Sequence, residues 1–212
     1  MDVRAYTVGP FQENTYVLRA DGSERALVID PGDAGEQLLE AIGKLGVTVE
    51  AILITHCDVD HVGAVAPLAK ATGAPVYCPR LEVEQLRDIM GHVSMEGIGP
   101  YEGYDPEELV EGGEELELAG LRIEVVATPG HTEGHVTYVF PDDGVIASGD
   151  VLFQNSVGRT DRPNGDHQTL LNSIATLLER CPDDTLVLPG HMGTTTLGRE
   201  KASNPFLAEL SQ

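Results

Sequence analysis

The chain has 212 residues, 41% of them hydrophobic, which suits one globular domain with a sizeable core and leaves little room for a second. Acidic residues outnumber basic ones 35 to 13, for a formal net charge of -22. Such a charge repels phosphate backbones and anionic lipid heads, so it argues against nucleic-acid and membrane-surface roles and leaves a small-molecule partner as the expectation.

Met1 is followed by a short alternating segment with no basic stretch leading into an apolar one, and no run approaches the ~18 apolar residues of a membrane span. Asn14 to Arg19 and Arg25 to Asp30 read as strands, with Asp21-Gly22 as the turn between them. Leu38, Leu39, Ile42 and Leu45 form an amphipathic helix stripe, and Val62, Val65, Ala66 and Ala69 form a second that Gly73 ends. From Pro79 to Pro106 the pattern weakens. Leu81 to Met90 has some helical character, whereas Gly91 to Tyr104 is glycine-rich and reads as an insertion or loop near the site. Leu170, Leu171, Ile174, Leu177 and Leu178 mark the clearest helix, with Asp166 placed to cap it. Cys57, Cys78 and Cys181 are odd in number and unrelated in spacing. They fit a reducing compartment rather than a disulfide framework, so a cytoplasmic protein is expected.

Four apolar runs share one feature. Ala51 to Thr55 ends at His56, and Ile123 to Thr128 ends at Pro129-Gly130-His131. Val145 to Ser148 ends at Gly149-Asp150, and Thr185 to Leu188 ends at Pro189-Gly190-His191. Each is a strand-like stretch that delivers a His or Asp where the chain leaves the sheet. If the four share one sheet, those ends converge on one rim, and the mixture of strands and helices predicts a layered α/β fold. The segment His56-Cys57-Asp58-Val59-Asp60-His61 adds four ligand-type side chains within six residues. Taken alone it would also fit a polar helix start. With the three strand-end groups it makes seven ligand-type groups, four His and three Asp, which suit two divalent ions, because a single ion such as zinc takes about four.

These residues resemble the metallo-β-lactamase superfamily, whose pattern runs Thr-His-x-His-x-Asp-His, then a His, a bridging Asp and a final His. Thr55 to His61, His131, Asp150 and His191 match it in order and approximate spacing, over nearly the whole chain. The resemblance implies a four-layer αβ/βα sandwich with the site at one edge. It also implies His56, Asp58 and His131 around a first metal, Asp60, His61 and His191 around a second, and Asp150 bridging them. Asp58 departs from the pattern, which has His there. A carboxylate adds negative charge, lowers the metal's Lewis acidity and hardens the site, so zinc is expected first but iron or manganese compete. Flavodiiron proteins of the same superfamily also carry a carboxylate at this position.

Pro129 to His135, Ser148 to Phe153 and Val157-Gly158-Arg159-Thr160-Asp161 resemble the hydroxyacylglutathione hydrolase (glyoxalase II) branch. An Asp at the bridging place argues against a true β-lactamase, where Cys or Ser is usual. The sequence ends 21 residues beyond His191, so the helical domain with which full-length glyoxalase II grips glutathione is expected to be absent. The resemblance therefore implies a metal-dependent hydrolase of thioesters or related esters, in which two cations share the attacking hydroxide and Asp60 accepts its hydrogen bond and helps move the proton. The alternative is an iron-dependent oxidoreductase of the persulfide dioxygenase or flavodiiron type, and a third reading is a binding protein on a decayed site. Both rest on Asp58. His135 is expected to support a ligand rather than be one. Arg159 and Asp161 are expected to form a buried ion pair holding the loop after Asp150. The Cys57 side chain is expected to point into the fold, His167 to lie on the surface, and His92 to have no role. The motif leaves the exact substrate and the oligomeric state open.

Overall fold

The computed structural model describes residues 1–93 and 95–211; Ser94, inside the expected loop from Gly91 to Tyr104, and Gln212 lie outside the described residues. Two compact units divide the chain. One comprises Met1–Val110 with Glu117–Leu121, the other Glu111–Leu116 with the chain from Arg122 onward.

The first unit is built on a six-stranded sheet of β1 (Asp2–Val8), β2 (Glu13–Arg19), β3 (Arg25–Ile29), β4 (Thr48–Leu53), β5 (Val76–Pro79) and β6 (Glu108–Val110), in that order. β1 to β3 are antiparallel neighbours, and β3 to β6 run parallel. Parallel neighbours need crossover connections. These are supplied by α1 (Gly35–Leu45), by the pair α2 (Val59–Val62) and α3 (Val65–Thr72), and by α4 (Val83–Arg87) with its flanking 3-10 turns Arg80–Glu82 and Ile89–His92. The expected stripe on α1 holds: Leu38 and Ile42 are buried, with Leu39 and Leu45 packed beside them. They join Val65, Leu68 and Ala69 of α3 in covering Val17, Val28 and Ile52 on one sheet face. Each large side chain buried this way stabilises by ~1.5–3 kcal/mol. Leu27, Ile29 and Leu53, which alternate with them, are also fully buried, so these strands lack a wet face and read as continuous apolar runs.

The second expected helix is two helices. Gly63 and Ala64 interrupt it because Ala64 donates its N–H to the Pro31 carbonyl at 2.9 Å, and a Cβ on Gly63 would lie 2.4 Å from the Gly32 carbonyl oxygen. A close approach to another loop overrides the helical periodicity there.

The second unit's sheet has the order β14 (Thr195–Thr196), β13 (Leu186–Pro189), β10 (Val145–Gly149), β9 (Val136–Phe140), β8 (Leu121–Ala127) and β7 (Glu115–Leu118), with Glu117–Leu121 of the β7–β8 turn counted in the first unit. β11 (Leu152–Phe153) and β12 (Ser156–Val157) pair separately. α5 (His167–Arg180) connects the parallel strands β10 and β13, and α6 (Leu197–Ser203) follows β14. Leu170, Leu171, Ile174 and Leu177 of α5 pack on Val126, Val139, Ile146 and Val187. Asp166 caps the helix, its carboxylate accepting the Thr169 N–H at 2.7 Å.

One expectation is corrected. The four strands that deliver His or Asp do not share a sheet: β4 belongs to the first, whereas β8, β10 and β13 belong to the second. Apolar runs reveal strands; they do not reveal which strands pair.

Candidate metal centre

In the first unit the chain leaves β4 at Leu53 and reaches α2 only at Val59. Along that stretch neighbouring side chains alternate sides, as in any extended segment. His56 and Asp58 face each other, Nε2 to Oδ2 at 3.7 Å. The Cys57 thiol turns the other way and is fully buried, its Sγ 3.7 Å from that of Cys78. Asp60 and His61 follow in α2, and the His61 ring lies 4.1 Å from that of His56.

Asp30, just beyond β3, anchors both histidines. Its Oδ1 accepts the Thr55 N–H at 2.7 Å, and its Oδ2 faces both the Thr55 hydroxyl, at 2.6 Å, and His61 Nδ1, at 3.0 Å. The Thr55 hydroxyl lies 3.0 Å from His56 Nδ1. A self-consistent proton assignment follows. His56 donates from Nδ1 to Thr55, Thr55 donates to Asp30, and His61 donates from Nδ1 to Asp30. One carboxylate thus leaves Nε2 of both histidines as the lone-pair nitrogen, the form a metal takes. Asp30 comes within 4.8 Å of His56 and His61, as a ligand would, but its oxygens are committed to three hydrogen bonds and it is read as their anchor. Asp30 is not among the ligand-type residues expected from the sequence. Its signal was available, since it too is an acid at a strand end. The Asp30-Pro31-Gly32 turn packs so closely on α2 that a Cβ on Gly32 would lie 1.6 Å from the Asp60 carbonyl oxygen, so only glycine fits.

Glu13, fully buried, puts Oε1 3.9 Å from His61 Nδ1. Burial pushes its carboxyl well above the ordinary carboxylate range, against the pull of His61.

In the second unit His131 follows β8, Asp150 follows β10 and His191 follows β13. His131 donates from Nδ1 to the Arg159 carbonyl at 2.8 Å, which turns Nε2 forward. A single oxygen, Asp150 Oδ2, lies 3.7 Å from His131 Nε2 and 3.6 Å from His191 Nε2. These separations are too long for hydrogen bonds. They are close to the ~3.4 Å edge between two ligands about 2.1 Å from a tetrahedral ion. The donor set fits metal, with one Asp150 oxygen lying between the two histidines. His135 is buried behind it. Its Nε2 accepts the Asp150 N–H at 3.1 Å and its Nδ1 lies 3.0 Å from the Thr128 hydroxyl, so both ring nitrogens are engaged. A Cβ on Gly158 would lie 1.9 Å from the Asp150 carbonyl oxygen, which keeps that position glycine too.

Arg159 and Asp161 do pair, at 2.7 and 2.8 Å, but not buried: their side chains are 57% and 69% exposed. The Arg159 guanidinium holds the Asp161 carboxyl down to about 2. What Arg159 contributes to the site is its backbone carbonyl, which no side-chain pattern signals. His167 is exposed at the start of α5. His92 is exposed as well, its Nδ1 2.8 Å from the Asp88 carbonyl.

The sequence pattern of the Metallo-beta-lactamase superfamily matches residues 8–191. Among curated proteins, the chain is 35% identical over 209 residues to "Hydroxyacylglutathione hydrolase GloC" of Haemophilus influenzae, covering 98% of each. Among solved structures it resembles BLEG-1 B3 metallo-beta-lactamase, with a TM-score of 0.91 and 37% identity, over 98% of this chain and 100% of that one. It also resembles TTHA1623 in a di-iron-bound form, with a TM-score of 0.86 and 40% identity, over 97% and 100%. These likenesses identify the fold as the α/β sandwich of that type.

Proposed function

Because this chain belongs to the metallo-β-lactamase superfamily, we propose that it is a binuclear-metal-dependent hydrolase of small thioesters, hydroxyacylglutathione-like, or of related esters, working in the cytoplasm. The observation that carries the reading is Asp150 Oδ2, one oxygen within 3.7 Å of two histidine Nε2 atoms. His56, Asp58 and His131 would hold one ion, Asp60, His61 and His191 the other, and Asp150 both. The family match runs from residue 8 to 191 and takes in both units, which supports reading the chain as one domain.

When bound, the two ions supply Lewis acidity toward the substrate carbonyl and bring the pKa of water toward neutrality. The chain's residues do the rest. Asp30 holds His61 directly and His56 through Thr55, each in the tautomer that presents Nε2 as the lone-pair nitrogen. The Asp60 carboxylate accepts the hydrogen bond of the attacking water, takes its proton and passes it toward the leaving thiolate. Asp58 adds negative charge where the family usually has a neutral His, so zinc is the proposed resident with iron or manganese in competition. The di-iron form of a relative 40% identical supports that competition. The hydroxyacylglutathione hydrolase relative supports hydrolysis over the iron oxidoreductase alternative.

The test is turnover of a hydroxyacylglutathione thioester, followed by loss of thioester absorbance, with an ester and a β-lactam in the same panel. Thioester cleavage should disappear on chelation and return with zinc, manganese or iron. Asp60→Ala should cost about 10²–10⁴-fold in kcat. Turnover untouched by chelation, or an Asp60→Ala protein with intact activity and metal content, contradicts the proposal.

A further inference from the structure

The segment that places His56 and Asp58 is neither strand nor helix, so the peptide groups of the residue between them, Cys57, need partners from elsewhere. Both come from one short stretch after β5. The Cys57 N–H donates to Glu82 Oε2 at 3.1 Å, and the Cys57 carbonyl accepts from Gln85 Nε2 at 2.5 Å. Glu82 is only 5% exposed, an unusual place for a carboxylate unless its oxygens are used. Gln85 lies three residues on, in the first turn of α4, whose N-cap is Glu82, and both side chains reach the same peptide. Beneath them the Cys57 side chain is held by burial against Cys78. Cys57 is thus gripped at its N–H, its C=O and its side chain, while its two neighbours face the other way.

From this geometry we infer that Glu82 and Gln85 are positioning residues of the metal centre, clamping the Cys57 peptide and so fixing the spread of His56 and Asp58. The inference rests on the proposed roles of those two residues as ligands. A ligand pair 3.7 Å apart leaves little slack. Metal sites need their donors held within about 0.5 Å, and the groups behind the ligands do that holding. The weak helical periodicity from Leu81 to Met90 then has a purpose: one turn suffices to present Glu82 and Gln85 side by side.

The experiment is cobalt(II) binding to the full chain, measured by competition with a chromophoric chelator and by the ligand-field spectrum, with the unfolding midpoint of the metal-free protein measured in parallel. Gln85→Met keeps the volume and removes the donor. It should weaken cobalt binding about 10–100-fold and alter the spectrum. Glu82→Leu should do the same or more. Glu82→Gln retains an oxygen that can accept the Cys57 N–H and should restore both the affinity and the spectrum. If Glu82→Leu does not fold, the contrast between Gln85→Met and Glu82→Gln still decides. Variants that bind cobalt as the unsubstituted protein does, with the same spectrum, overturn the clamp even if their metal-free midpoints fall, because a merely structural role would lower only the latter. An unsubstituted chain that takes up no cobalt removes the metal centre itself, and the clamp falls with it.

Discussion

In the proposed centre, Asp58 is the residue on which metal identity should turn. With it, the proposed donor set carries three carboxylates, Asp58, Asp60 and Asp150, and each added negative charge favours a harder ion. Asp58→His should raise the zinc-to-iron ratio of protein purified without added metal by about tenfold, as a softer, neutral donor replaces a hard one. Elemental analysis of both proteins checks this, and an unchanged ratio means that Asp58 is not a ligand. The proposed ligands were legible in the sequence because each is a His or Asp at a strand end or one turn beyond. The groups that orient them were not. Asp30, the Arg159 carbonyl, Glu82 and Gln85 lie from 25 to 31 residues from their partners, so only the fold brings them into contact.

α5 shows how an element serves a site from behind. Its cap residue Asp166 accepts the Thr169 N–H by its side chain, while its own N–H donates to the Gly130 carbonyl at 2.8 Å, in the turn that carries His131. The Thr169 hydrogen bond holds the Asp166 carboxyl below its ordinary 3.8. Its folded pKa is therefore the depressed one, and the stability it lends is present above about pH 4 and lost as pH falls through the folded value. Asp166→Ala should lower the melting temperature at pH 7, and the gap from the unsubstituted chain should narrow below pH 4 and close once Asp166 is protonated. Thermal melts across pH 2–7 read this directly, and a gap constant with pH refutes the cap's electrostatic part. The α5 stripe and its cap were readable because five apolar residues keep the helical period behind an Asp. The break at Gly63 and the division of four strands between two sheets were not, since both are decided by contacts between distant segments.

For the molecule as a whole, the net charge of -22 reports on the surface and says little about chemistry. Among the described residues, no helix is long and apolar enough to cross a membrane. The α/β class was legible because short apolar runs alternate with helical stripes from one end of the sequence to the other, and the superfamily because its motif is spread from Thr55 to His191. The proposed mechanism needs two metal ions in this chain. Elemental analysis of protein purified without added metal counts them: about two ions of zinc, manganese or iron per chain are expected, and one ion or none rules the binuclear centre out.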